Sequence, residues 1–276
     1  MSDKPTQKEY WSGKVGDEWA NRADRIDIML APMTDAALAR ASFQPGERVL
    51  DIGCGAGATS FRIAQTGARV TGVDISAPLL DVARKRAAAA DLPVEFIEAD
   101  AGAAKLERAF DAAFSRFGVM FFEDPTAAFA NIRSELRPGA RAVFIVWRQI
   151  SENPWATTPI EAVRPLLKTP LTPPDPNTPG PFSLADPKKI VRLLGEAGWT
   201  NVKITTWDGE IAIGGGGGLE ESAEFLLKIG PCARAIVDQG LDPAEARQRL
   251  IDKLTPLRSD DGVKLGAACW LVEAVS

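Results

Sequence analysis

The chain has 276 residues, 32 of them basic and 37 acidic for a net charge of −5, and 45% of them are hydrophobic. A chain this long buries roughly 75% of the surface its unfolded form exposes, so it needs no disulfide or metal staple. Histidine is absent, which removes Ser-His-Asp triads, Cys-His pairs, His-ligated zinc and histidine general bases.

The opening MSDKPTQKEYW lacks the apolar stretch of a signal peptide, and no run approaches the ~18–20 apolar residues of a membrane span. Cys54, Cys232 and Cys269 fall at no metal-ligand spacing and fit a reducing compartment, so the chain reads as cytoplasmic and metal-free. Its acidic balance argues against a nucleic-acid partner. Over Glu9–Ala41, Trp11, Trp19, Ile26, Met29, Leu30, Met33 and Leu38 recur at near-helical spacing, predicting an N-terminal helical cap over residues 1–45.

Residues 46–149 alternate short apolar runs with helical patterns, the signature of a parallel α/β sheet. The strands predicted are Arg48–Ile52, Arg69–Asp74, Val94–Ala99, Phe110–Ser115 and Ala140–Trp147; the helices are Ala58–Thr66, Pro78–Ala90 and Thr126–Leu136. Asp124-Pro125 and Asp186-Pro187 supply N-caps with proline at the first helical position. Pro138-Gly139 is expected to break the third helix ahead of the fifth strand. Residues 150–185 form a proline-rich insert, where six prolines between Pro170 and Pro181 exclude a helix or central strand and leave a surface loop or a lid.

The rhythm resumes over 186–276 with a helix at Pro187–Ala197 and a strand at Val202–Trp207 extending toward Ile213. Gly214–Gly218 read as a flexible hinge, because no Lys-Ser/Thr follows to make a phosphate cradle. A helical insert over 215–258, with helices near Glu221–Lys228 and Asp242–Lys253, precedes a last strand at Val263–Val275. Residues 1–276 thus read as a single domain.

The segment Val49-Leu50-Asp51-Ile52-Gly53-Cys54-Gly55-Ala56-Gly57 is a strand running into a glycine turn that opens a helix. Glycine permits the turn's positive φ and lets a ligand approach the backbone. The next strand ends on Asp74, spaced as a βαβ unit needs to set a carboxylate beside a ribose. A dinucleotide would put its pyrophosphate on this turn and usually needs Gly-x-Gly-x-x-Gly; this chain has Gly-x-Gly-x-Gly, and the Asp51 carboxylate would repel pyrophosphate. The same carboxylate favours a ligand carrying an ammonium and a sulfonium, such as S-adenosylmethionine.

These residues, with Asp100 in Phe96-Ile97-Glu98-Ala99-Asp100 and the run Ser115-Arg116-Phe117-Gly118-Val119-Met120-Phe121-Phe122, resemble the class I S-adenosylmethionine-dependent methyltransferases. The last run is similar to the methyltransferase type 11, ubiquinone/menaquinone methyltransferase-like branch, as is the spacing from Tyr10-Trp11 to Trp19. The resemblance implies a Rossmann-like, doubly wound, mainly parallel seven-stranded sheet with helical cap elements. It implies that Gly53 and Gly55 pass under the methionine part of the cofactor and that Asp51 orients its ammonium, with Thr59 beside them. Asp74 would hold the ribose hydroxyls, Ile75 the adenine, Asp100 the adenine amino group, and Ala101 would offer a backbone donor. Ser115 and Phe117 would lie beside the transferring methyl, and Trp19 would cover the cofactor mouth.

In-line methyl transfer needs no dedicated base when the acceptor is an amine, thiol or enolate; it needs proximity and exclusion of water. Were a base required, Tyr10, the only tyrosine, or one of Asp17, Glu18 and Glu123 would have to serve. Trp11, Met33, Trp147, Arg148 and Trp155 are the substrate-side candidates, the last three because they follow the fifth strand, at the edge where open α/β sheets bind ligands. The missing Asn/Asp-Pro-Pro-aromatic turn argues against an exocyclic-nitrogen methylase of DNA, and three scattered cysteines argue against arsenite methylation. The reading is a cytoplasmic methyltransferase of a small molecule, with a homodimer admitted. The alternatives are a nicotinamide-dependent oxidoreductase and a non-catalytic cofactor-binding relative.

Overall fold

A computed structural model of the chain describes residues 6–106, 109–173, 175–260 and 262–276. Residues 1–5 of the expected cap and Pro174 of the proline-rich insert lie outside the described residues. The five expected parallel strands are β1 Arg48–Ile52, β2 Arg69–Asp74, β3 Val94–Glu98, β4 Phe110–Arg116 and β5 Leu136–Trp147; β6 Thr200–Ala212, a two-residue β7 Arg258–Ser259 and β8 Gly262–Val275 follow. The main sheet runs in the order β3-β2-β1-β4-β5-β8-β6, seven strands, with β7 paired only to β8. Strands β1 to β5 are parallel, and β8 runs antiparallel to both β5 and β6. Strand order reverses between β1 and β4, and open α/β sheets place ligands at such a switch point, beyond the carboxyl ends of the strands.

Helices cover both faces. The cap is three helices, α1 Gln7–Ser12, α2 Lys14–Ala20 and α3 Ala23–Ala41; α4 Ala58–Ala64, α5 Ala77–Ala90 and α6 Pro125–Ser134 cross between strands. Later come α7 Pro154–Val163, α8 Pro187–Glu196, α9 Leu219–Leu226, α10 Pro231–Gln239 and α11 Pro243–Leu254. Asp124 and Asp186 cap α6 and α8 as expected, accepting from the N–H groups of Ala127 and Lys188. Phe144 on β5 meets Phe129 of α6, whereas Cys269, opposite Trp147, meets Met33 of α3. Phe144 and Trp147 differ by an odd number of residues, so α6 and α3 lie on opposite faces. Among the described residues no helix is long and apolar enough to cross a membrane.

Four expectations are corrected. Strand β5 begins at Leu136, not Ala140, because Leu136 pairs with Phe110 and the Pro138-Gly139 step is absorbed as a register shift. The insert opens with a 3-10 turn at Ile150–Glu152 and α7, which tolerates Pro154 at its first position and keeps Pro159 inside, and past a second 3-10 turn at Arg164–Leu166 the chain is loop. That loop is pinned: Gly180 N–H and Ser183 Oγ both donate to the Met120 carbonyl, at 3.0 and 2.6 Å. Helix α10 was not foreseen, since its apolar positions, Cys232, Ala233, Ala235 and Ile236, are small or few.

The five-glycine run, expected as a flexible hinge, begins packed against α3. Gly214 is buried with φ +65°, and a Cβ on Gly215 would stand 3.1 Å from the Arg25 Cα and O, so glycine here lets the chain turn hard against α3.

Candidate cofactor site

Strand β1 carries Asp51 to the switch point, and the glycine turn 53–57 leads into α4. Asp51 is fully buried. Its Oδ2 accepts from Thr59 Oγ1 and from Ser60 Oγ, each at 2.6 Å, while its Oδ1 has no partner. Burial pushes the carboxyl up to about 6, against the opposing pull of the two hydroxyls and of the Arg116 charge. A buried acceptor without a donor costs roughly 1–3 kcal/mol, and one standing at a ligand crevice marks a place where a ligand donor fits.

The two glycines expected beneath a ligand do different work. A Cβ on Gly55 would meet only Leu79 Cδ1, at 3.9 Å, so the space above this residue is open. A Cβ on Gly53 would stand 2.7 Å from the Gly118 Cα. Contact between the loops after β1 and β4 is therefore enough to require glycine at Gly53.

Asp74 closes the other side of the turn. Its Oδ2 accepts from the Gly55 N–H and its Oδ1 from the Ser76 N–H, both at 2.8 Å, leaving each oxygen free to accept once more, as a vicinal diol requires. Burial raises its carboxyl above the ordinary range against those backbone donors. Ile75 follows, half-buried, and the cap is fastened here: Ser12 Oγ donates to the Ile75 carbonyl at 3.2 Å, and Ser76 Oγ to the Trp11 carbonyl at 2.7 Å. Trp11 lies edge-on to Trp19 and to Phe121, with ring centres 5.4 and 5.2 Å apart. Trp19 packs with Ala23, Ala56 and Leu79, so the cap does cover the turn.

Asp100 stands just past β3, where the Ala99 N–H donates to the Asp74 carbonyl at 2.9 Å. It is exposed, and its Oδ1 accepts from the Gly102 N–H at 2.8 Å. The neighbouring Ala101 carbonyl takes the Asn131 side-chain amide at 3.1 Å.

At the end of β4 the expectation changes. Ser115 is fully buried, donates to the Ile52 carbonyl at 2.8 Å and accepts from the Gly118 N–H at 3.2 Å. Its hydroxyl latches β1 to β4 in the core. Phe117 has φ +63°, unusual for a side chain of its size, and its ring stacks on Trp147 at 4.1 Å and 10°. Trp147 in turn meets Trp155 at 4.7 Å, and both are buried. These aromatics form a packed wall.

Three candidates are reassigned. Met33 is wholly buried, its sulfur 3.7 Å from Cys269 Sγ, and belongs to the core. Arg148 holds Glu152 and Asp208, the latter at 2.7 Å, with its guanidinium over the Trp270 ring, so its charge is already matched. Burial raises the Tyr10 hydroxyl above its ordinary value, which keeps it protonated at neutral pH and opposes a role as base. Asp17 and Glu123 are exposed, and Glu18 pairs with Arg22 and Lys228.

Reading the sequence did not single out Ser60 or Asp27, and quoted Arg116 and Gly118 only within a motif, with no role. Ser60 had a signal, a second hydroxyl in the first turn of the helix that follows a buried carboxylate. Arg116 donates to Asp27 at 2.8 Å across 89 residues of chain, a pairing with no local signal.

Residues 49–139 match the family model described as "Methyltransferase domain". An uncharacterized protein of Mycobacterium tuberculosis is 35% identical over 143 residues, covering 51% of this chain and 50% of that protein. A demethylmenaquinone methyltransferase of Clavibacter sepedonicus is 32% identical over 149 residues, covering 52% and 59%. The chain thus spans about half the length of the first of these relatives. Among solved structures, magnesium protoporphyrin IX methyltransferase from Synechocystis, with S-adenosylhomocysteine bound, superposes at a TM-score of 0.58 with 16% identity, covering 97% of each chain. The likeness at that identity is one of fold. Over residues 49–139 the chain is thus similar to methyltransferase domains, and as a whole it shares the fold of that solved methyltransferase.

Proposed function

We propose that the chain binds S-adenosylmethionine at the glycine turn and transfers its methyl group to carbon, oxygen or nitrogen of a small, hydrophobic or amphipathic acceptor. The observation that carries this reading is the fully buried Asp51 with one oxygen unpartnered beside the open face of Gly55. That arrangement suits a cationic ligand and opposes a polyanion, so it disfavours a nicotinamide dinucleotide. When bound, the cofactor supplies a methyl group already activated by its sulfonium for in-line displacement.

The chain's own residues have four tasks. Asp51 accepts the ammonium, held in place by Thr59 and Ser60. Asp74 accepts the ribose hydroxyls while its other lone pairs brace Gly55 and Ser76, each such charge-assisted bond contributing roughly 1.5–3 kcal/mol. Asp100 and Ile75 border the adenine. The cap, tied through Ser12 and Ser76 and faced by Trp11, Trp19 and Phe121, excludes water from the carboxyl edge. With no histidine and a protonated Tyr10, catalysis rests on proximity and desolvation.

Calorimetric titration with S-adenosylhomocysteine tests the reading. Wild type is expected to bind and Asp74→Ala to bind at least tenfold more weakly; no binding by wild type, or equal binding by both, refutes it. Homocysteine-coupled turnover over pooled acceptors then separates an enzyme from a cofactor-binding relative.

A further inference from the structure

Away from the cofactor turn, a cleft of about 710 Å³ opens between the cap and helices α5 and α9, a size that suits a small organic molecule. None of Asp51, Gly55, Asp74 and Asp100 lines it. Ala23, in its wall, packs against Ala56 and Leu79, so a layer of apolar side chains separates it from the turn. Ala20, Ala23, Val82 and Phe225 give the cleft an apolar floor. Along α9 and just past its end, Glu221, Phe225 and Lys228 recur at spacings of four and three and so share a face. Glu221 pairs with Arg25 and Lys228 with Glu18, so two ion pairs cross to the cap with Phe225 between them.

The lining carries four cations, Arg22, Arg25, Arg86 and Lys228, against three carboxylates, Glu18, Asp24 and Glu224, in a chain whose net charge is −5. Each carboxylate is already engaged: Glu18 by Arg22, Asp24 by Arg86, and Glu224 by Arg247 from outside the cleft. Arg25 and Lys228 are held more loosely. They stand 3.4 Å from Glu221 and 3.9 Å from Glu18, and their side chains are 44% and 46% exposed. Turning both onto a ligand strands no carboxylate, because Glu18 keeps Arg22 and Glu221 keeps the Gly218 N–H.

We infer that this cleft is a second ligand site, for a small organic anion whose flat apolar body lies on Val82 and Phe225 while Arg25 and Lys228 hold its charge. A cation finds every lining carboxylate already matched, and a polyanion is opposed by Glu18 and Asp24 at the same rim. The site stands apart from the cofactor reading and does not rest on it.

The test uses the full chain and three probes of one shape by calorimetry: 2-naphthoate, the neutral 2-naphthylmethanol and the cationic 2-naphthylmethylamine. At low salt, wild type is expected to bind the anion about fivefold more tightly than the alcohol, the worth of two half-exposed ion pairs, and the amine no better than the alcohol. Raising salt to about 0.5 M should remove most of that preference. Saturating S-adenosylhomocysteine should leave the anion's Kd within about twofold, because the two sites are separate. Arg25→Gln combined with Lys228→Gln, at two half-exposed side chains, brings the anion to the alcohol's Kd. Val82→Trp fills the cleft and weakens all three probes about tenfold or more; should it fail to fold, the glutamine pair decides. An anion bound no better than the alcohol, an anion displaced by S-adenosylhomocysteine, or a glutamine pair with the wild-type preference overturns the site. Wild type that binds 2-naphthoate but not S-adenosylhomocysteine keeps this site and refutes the cofactor reading.

Discussion

Replacing Asp51 by asparagine separates the cost of its buried charge from its use. In the ligand-free protein the carboxyl is pushed from an ordinary 3.8 up to about 6. A shift of that size corresponds to about 3 kcal/mol by which ionisation works against folding at pH 7. The sign follows from proton binding: between the two values the folded chain holds a proton that the unfolded chain has released, so this group's contribution to stability falls as pH rises from about 4 to about 6 and stays low above it. Asp51→Asn removes the charge, keeps an oxygen for Thr59 and Ser60, and puts an amide where Oδ1 stood. The variant's melting temperature at pH 7 is expected to rise by at most about 5 °C, because the new amide donors offset part of the gain. Its stability should also depend less steeply on pH between 4 and 7. Affinity for S-adenosylhomocysteine should fall at least tenfold, and in wild type it should strengthen from pH 5 to 7 with proton release, read as a buffer-dependent heat. Unchanged affinity in Asp51→Asn, or a wild-type affinity flat across that range, refutes the argument.

Two further substitutions test the geometry. A Cβ at Gly118 would stand 2.7 Å from the Ile52 carbonyl oxygen and 2.9 Å from the Gly53 Cα; Gly118→Ala should therefore destabilise the chain by about 2 kcal/mol or more, seen in urea denaturation, and a smaller loss would mean the two loops yield. Arg148→Met should cost about 1–3 kcal/mol of stability through Glu152 and Asp208 and leave S-adenosylhomocysteine affinity unchanged; selective loss of acceptor affinity would restore the substrate role that the sequence suggested.

Much of the fold was legible because parallel strands and their crossover helices write strong local signals. Strands β1 and β2 fall where the short apolar runs do, since both faces of each are buried and every residue from Val49 to Ile52 is shielded from solvent. The N-caps at Asp124 and Asp186 are equally local, a side-chain oxygen beside the N–H groups it must satisfy. Elements failed where the pattern was short or broken: α10 with its small apolar residues, α7 with prolines at its first position and inside, and a glycine run that packs against α3, far away in sequence.

The sequence by itself determined the βαβ frame, the acidic glycine turn and the absence of any histidine chemistry, because each depends on residues within one strand, turn and helix. Tertiary structure alone decided that Asp51 keeps a free oxygen, that Gly53 serves Gly118, and that Met33, Ser115 and Arg148 are committed to packing, latching and ion pairing. It also brought Asp27 and Arg116 together beside the turn. Such roles turn on which lone pairs and charges are already matched, and a group's partner across the sheet or in the cap leaves no trace in its neighbours along the chain.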